Sequence, residues 1–289
     1  MNVTVLFWII IAIIVVDYVL ECVLDYLNGT RRGAPVPSEL ADLYDAETYE
    51  KQQRYEQAKS RIGFWSSTAG FILIMVMFFC GIYGLLDNWI TGFVENPILA
   101  GLLFFGILFW ASDILSTPFE WYNTFVIEEK FGFNKMTKSL FIADKLKSWL
   151  ITAVLGGGIF AGLLALISYF GQNFWIIAWV AISIILVFIN MFYSTLFVPL
   201  FNKQTPLEDG ELKDAIFSFS KKAGFELDNI YVIDGSKRST KANAYFSGLG
   251  SKKRIVLFDT LIKELTIPEI VAVLAHEIGH YKKKHTLMM

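Results

Sequence analysis

The chain has 289 residues, of which 55% are hydrophobic and only 18% charged, with 26 Phe and 8 Trp. That composition excludes a disordered chain, a collagen and a disulfide-stapled mini-protein, and a net charge of −2 gives no reason to expect nucleic acid as a partner. Cys22 and Cys80 both lie in apolar runs and read as small hydrophobes rather than as a disulfide framework.

The apolar residues gather into long runs. A helix needs about 20 mostly apolar residues to cross a hydrocarbon core of about 30 Å. Five stretches meet that requirement, at about 3–23, 64–86, 97–115, 149–170 and 174–201. A cleaved signal peptide is a poor reading of the first, because no basic residue precedes it and no small-residue cleavage site follows. Lys and Arg number 6, 0, 5, 0 and 14 in the segments after the successive runs. Basic residues near helix ends stay cytoplasmic, so the amino terminus is expected outside and everything after Phe201 in the cytoplasm. The membrane would be of the endoplasmic reticulum type in a eukaryote and the inner membrane in a bacterium. Between the first two runs, Pro37–Ile62 is polar and rich in helix formers, and a cytoplasmic helix is expected there.

Some acids fall where lipid is expected. Asp17, Glu21 and Asp25 are spaced by four and share one helix face, and Asp113 and Asn190 lie inside other runs. Acids at bilayer depth are costly unless they face protein or water. They therefore line a wet cavity, the favoured reading for Asp17 and Asp113, or they sit at the cytoplasmic mouth of a first helix that ends early. For Glu21 and Asp25 both readings stay open.

After Pro206 the texture becomes that of a soluble α+β unit. Leu207–Lys222 carries apolar residues at helical spacing, and Asn229–Ile233 and Arg254–Phe258 are β-branched runs that read as strands. A last helix starts at Thr266, where Thr266 and Glu269 have the spacing of a capping box and Pro268 falls in the tolerated first turn. The expected architecture is a mainly α, polytopic membrane protein. Residues 1–201 would form its transmembrane domain and 202–289 a cytoplasmic α+β metallopeptidase domain, incomplete at its carboxy terminus.

The last helix contains His276, Glu277 and His280, an H-E-x-x-H pattern. Residues four apart on a helix differ by about 40°, so both imidazoles can grip one zinc ion. Glu277 projects about 100° from His276, beside the metal rather than on it. There it can act as general base toward a water molecule whose pKa zinc lowers to about 7. All three histidines of the chain fall between 276 and 285, and His285, about 140° around from His280, reads as a solvated or supporting residue. Zinc needs a third protein ligand, and no motif supplies one. Glu269 is accounted for by its cap, and Asp234 and Asp259 could approach from loops. The chain stops nine residues after His280 without a helix stop signal, which reads as a fragment or a truncated product.

Four stretches in order, Thr124–Thr137, Leu200–Ala215, Val232–Leu261 and Val273–Thr286, carry a resemblance that covers nearly the whole chain. The chain resembles the type I CAAX prenyl proteases, integral-membrane zinc metallopeptidases of the gluzincin kind. The resemblance implies a barrel of seven membrane helices around a water-filled chamber, closed on its cytoplasmic side by the catalytic domain. It implies that His276 and His280 bind one zinc, that Glu277 is the base, and that a glutamate on a later helix, beyond residue 289, is the third ligand. It also implies that Asn243, Ala244 and Tyr245 form the edge that aligns substrate; without it, this stretch reads as an ordinary turn. Lys241 and Ala242 stand where the family usually has His-Ser, and the basic neighbourhood of Arg238 reads as a solvated loop.

Two functions follow. One is a membrane-embedded zinc metalloendopeptidase acting on peptide or protein substrates, prenylated ones by resemblance. The other is a truncated, inactive membrane protein that holds peptide or lipid in an intramembrane cavity.

Overall fold

The computed structural model describes residues 2–36, 45–225, 227, 229–247 and 254–283. They divide into two compact units, Met1–Gly132 with Thr152–Leu164, and Phe133–Ile151 with Ala165–Met289.

The first unit opens with α1 (Val3–Thr30), capped by Asn2, whose Oδ1 accepts from the Thr4 N–H at 3.1 Å. The apolar stretch was expected to stop near residue 23, but the helix runs on for another two turns. Asp17, Glu21 and Asp25 therefore all lie within it, on its exposed surface. A first helix that ends before these acids is ruled out. Next comes α2 (Ala46–Phe79), capped by the Asp45 carboxylate, which accepts from the Thr48 N–H at 3.0 Å. The polar helix expected before residue 62 and the span expected after 64 are one continuous element, because the change in polarity between them brings no helix breaker. Residues 37–44 of the expected polar helix lie outside the described residues. α1 and α2 meet through Tyr18, which stacks on Phe71 with centroids 4.2 Å apart. A short α3 (Ile82–Thr91) leads to α4 (Pro97–Tyr122), which carries Pro118 inside it and runs on as a π-helical segment, Asn123–Glu128. Asp113 is half-buried on α4.

Then come α5 (Lys138–Ile151), α6 (Gly157–Phe170), α7 (Phe174–Phe192) and α8 (Val198–Phe201), joined without a break by further π and 3-10 turns. Four helical runs, not the five spans expected, are thus long and apolar enough to cross a membrane: Val3–Thr30, Ala46–Phe79, Pro97–Glu128 and Lys138–Phe201. The difference lies at Gly171–Asn173, expected to be a loop between two spans. It is itself a turn of 3-10 helix, so the last run continues for 64 residues. Gly171 has φ +51°, a left-handed conformation that glycine adopts without penalty and that departs from regular right-handed helix at that point. Almost nothing in the apolar windows of these runs is buried inside the protein. Side chains such as Ile13, Leu24, Val154 and Ile184 are more than half exposed, as lipid-facing residues are.

The second unit holds a four-stranded sheet of order β1-β2-β4-β3, with β1 (Gln204–Pro206), β2 (Asn229–Ile233), β3 (Ala244–Ser247) and β4 (Arg254–Phe258). β2 and β4 pair in parallel at its centre; β1 and β3 pair antiparallel at its edges. The two expected strands are the central pair, recognisable because parallel strands covered on both faces become unbroken β-branched runs. In β4, Ile255, Val256 and Leu257 are fully buried. α9 (Glu211–Lys222), α10 (Asp259–Glu264) and α11 (Ile267–Lys282) complete the unit. α11 packs through Ile270 and Leu274, in a cluster with Ile216, Ile255 and Leu257, and Ile278, four residues further on, is buried as well. Burying each such side chain contributes about 1.5–3 kcal/mol, which anchors α11 against α9 and the sheet.

Candidate active site

α11 starts as its sequence requires. The Glu269 carboxylate accepts from both the backbone N–H and the hydroxyl of Thr266, each at 2.7 Å, satisfying an otherwise orphaned donor at the helix start. The hydroxyl bond, then the backbone bond, hold Glu269 below its ordinary value of 4.5. Its stabilising effect is therefore full above about pH 4.5 and is lost as pH falls through the depressed value. Glu269→Gln should flatten this acid limb. Hydrogen exchange of the amides of Thr266, Ile267, Glu269 and Ile270 between pH 3 and 6 measures it, and an unchanged pH profile would count against the cap.

Because the apolar stripe fixes how α11 is turned, it also fixes the face left open. At 100° per residue, positions 276 and 280 centre about 140° from the Ile270–Leu274–Ile278 stripe. Ala272, His276, Gly279 and Lys283 are all exposed along that open side. His276 and His280 are placed one turn apart on it, and Glu277, half-buried, lies between the open face and the packed one. His285 lies outside the described residues.

The other acids considered as ligands are committed elsewhere. Asp234 Oδ1 accepts from the Lys203 N–H at 2.8 Å and from Asn202 Nδ2 at 3.1 Å, which ties β1 to the end of β2. Asp259 accepts from the Ser236 N–H at 2.8 Å, from the Ser236 hydroxyl and from Lys263 Nζ at 3.5 Å. Burial pushes its carboxyl up, but the Ser236 bonds and Lys263 outweigh this and leave it below the ordinary range. Glu269 is held by its cap. Among the described residues no group of three or more His, Cys, Asp or Glu side chains converges on a metal position. The residue types that suit zinc are the two histidines, four positions apart on one helix.

β3 lies beside α11 at the rim of the sheet and pairs only with β4 among the described residues. The Phe258 N–H donates to the Asn243 carbonyl at 3.0 Å, so Asn243 and Tyr245 turn their backbone groups inward to β4. Ala244 and Phe246 then turn theirs outward. Asn243 Oδ1 accepts from the Ala244 N–H at 2.8 Å. The Tyr245 side chain points to the other face, near Phe258. Burial, then the neighbouring Tyr193, push its phenol up to about 12 against the opposing pull of Arg254, so it stays neutral at physiological pH. Its hydroxyl makes no hydrogen bond among the described residues.

The loop that delivers the chain to β3 is rigidly held. Arg238 is not solvated: its side chain is 18% exposed and grips Asp144, 16% exposed, through Nε at 3.0 Å and Nη2 at 2.7 Å. Nη2 also donates to the Phe201 carbonyl at 2.6 Å. Asn134 and Ser239 form a bridge on the same loop, the Lys241 carbonyl accepts from Thr260 Oγ1 at 3.0 Å, and Lys241 Nζ lies 4.9 Å from the Phe133 ring centre. At Gly235 an added Cβ would meet Phe258 Cδ1 at 2.3 Å, so only glycine lets this turn close onto β4. The Asp144–Arg238 partnership was missed in the sequence. Its members are 94 residues apart, and no local pattern links them.

Two family models match the chain: "CAAX prenyl protease N-terminal, five membrane helices" over residues 25–203, and "Peptidase family M48" over residues 206–289. The chain belongs to peptidase family M48. It is 39% identical over 259 residues to a CAAX prenyl protease 1 homolog of Dictyostelium discoideum, covering 87% of this chain and 61% of that protein. It is 38% identical to CAAX prenyl protease 1 of Saccharomyces cerevisiae, covering 88% of this chain and 58% of that one. A crystal structure of S. mikatae Ste24p superposes with a TM-score of 0.91 at 37% identity, covering 98% of this chain and 68% of that chain. The chain spans about three fifths of the length of these two curated relatives. As an M48 member with long lipid-facing helices, it is an integral, multi-pass membrane protein with a carboxy-terminal α+β domain carrying the H-E-x-x-H helix.

Proposed function

We propose that residues 202–289 form the catalytic domain of a membrane-embedded zinc metalloendopeptidase, with His276 and His280 as metal ligands and Glu277 as general base. The single observation that carries this reading is the orientation of α11: its apolar stripe is locked into the core, which leaves positions 276 and 280 on the opposite side and Glu277 at the margin between the two. Bound zinc would supply Lewis acidity, polarising the scissile carbonyl and lowering the pKa of the attacking water. Glu277 accepts the proton of that water and returns it to the leaving amine. The outward carbonyl of Ala244 and the backbone groups of Phe246 pair with an extended peptide, with Asn243 and Tyr245 fixing the strand that presents them. The third protein ligand comes from the part of the relatives' length that this chain does not span.

The substrates are peptides with a prenylated carboxy terminus, as the names of the relatives suggest. Asp17, Glu21 and Asp113 line a wet cavity among the membrane helices. The amino terminus is outside and the catalytic domain cytoplasmic.

His280→Ala in a chain joined to the rest of the family's length should lose its zinc, measured as metal per chain by elemental analysis. Unchanged stoichiometry would remove His280 from the ligand set. A full-length chain that binds zinc yet leaves prenylated and unprenylated peptides uncut would favour the peptide-holding alternative.

A further inference from the structure

A recess of about 1320 Å³ opens in the first unit between the amino-terminal half of α2 and the π-helical end of α4. The two walls are fastened together. Tyr55, buried, donates to the Glu128 carboxylate and meets Phe131 edge-on with centroids 5.3 Å apart. The recess lies where both helices change medium. On α2, residues 46–61 hold every charge of the helix, and 62–79 hold none. Opposite, Tyr122 and Val126 belong to the last turns of an apolar run, and Lys130 follows just beyond it.

The charges are sorted along this recess. Its acids, Asp45, Glu47 and Glu50, stand at the start of α2, away from the apolar half. Asp45 is engaged as the helix cap, and Glu50 accepts from Arg54 at 2.5 Å. Arg61, the last charge of α2 before its apolar half, and Lys130, just past the apolar run opposite, carry the positive charge toward the apolar side, while Lys51 lies about 15 Å back along the helix beside the acids. Among the described residues neither Lys51 nor Arg61 has an acidic partner. One turn beyond Arg61 stands Trp65, and Tyr122 stands across from it. Trp and Tyr at the boundary between charged and apolar helix halves are the side chains that settle at headgroup depth.

We propose that this recess binds the phosphate headgroup of an anionic membrane phospholipid, with Arg61 and Lys130 on the phosphate and Trp65 and Tyr122 flanking the start of the acyl chains. The ordering decides for a lipid over a free phosphate: cations lie at the apolar end, where an ion arriving from water would meet the acids first. None of these residues belongs to the proposed hydrolytic site, so the two proposals fail independently.

The test uses the whole chain in a neutral maltoside detergent. It is titrated with dioleoylphosphatidylglycerol or dioleoylphosphatidylcholine, and bound lipids are counted by native mass spectrometry. The anionic lipid should be retained preferentially, and Arg61→Gln with Lys130→Gln should weaken that retention about tenfold or more. Arg61→Lys with Lys130→Arg should preserve it, which separates lost charge from lost fold. Equal retention of the two lipids, or equal retention by the Gln variant and the unaltered chain, overturns the proposal. So does displacement of the anionic lipid by equimolar inorganic phosphate, which would reassign the recess to a soluble ligand.

Discussion

Glu277→Gln should reduce peptide hydrolysis by about 10²–10⁴-fold while leaving zinc content unchanged, in a chain joined to the rest of the family's length. The amide fills the same volume on α11 but cannot accept a proton. The substitution therefore removes the base without disturbing the stripe of Ile270, Leu274 and Ile278 that orients the helix. Since Glu277 sits about 100° from His276, it is off the metal axis, and its loss should not mimic loss of a ligand. Turnover of a quenched fluorescent peptide, read beside elemental analysis, separates the two. Activity retained within tenfold would remove Glu277 from the base role.

The second large effect is expected far from the histidines. Arg238→Ala strands the Asp144 carboxylate, 16% exposed, without its cation, and breaking a buried pair in this way costs about 3–5 kcal/mol. Asp144 Oδ1 and Arg238 Nη1 make no hydrogen bond among the described residues, so the pair is incompletely satisfied as it stands. Replacing both members together, Arg238→Met with Asp144→Leu, should therefore recover most of the loss. Thermal unfolding of the three variants in detergent tests this. A single variant as stable as the unaltered chain would show that the pair holds nothing together. The loop it secures delivers Asn243 to the sheet edge, so the single variant should also weaken peptide binding before it unfolds.

What could be read from the sequence divides along physical lines. β2 and β4 announce themselves because central parallel strands must be apolar on both faces, and α11 because its cap and its stripe are local patterns. β1 and β3 do not. A three-residue edge strand ending in Pro206 and a four-residue strand reading Ala-Tyr-Phe-Ser are too short to show a period, and pairing with a distant partner defines them. α2 was cut in two because hydropathy registers the medium around a helix, whereas helix continuity depends on the absence of a breaker. The span count fell to four for a related reason: Gly171–Asn173 looks like a loop by polarity and coils as a helical turn. In the site, spacing alone placed His276, Glu277 and His280 together. The occupation of Asp234 and Asp259 by backbone donors depends on how the sheet brings Lys203 and Ser236 alongside them.

The outer rim of β3, which has no strand partner among the described residues, has a cost apart from any catalysis. Unpaired amides and carbonyls on an outermost strand are a template for any extended chain, including the same strand of another molecule. Concentrated material without a peptide in place should therefore tend to self-associate through Ala244–Ser247, and an extended peptide mimic should suppress that tendency. Lys241, just upstream, discourages such stacking by bringing like charges face to face.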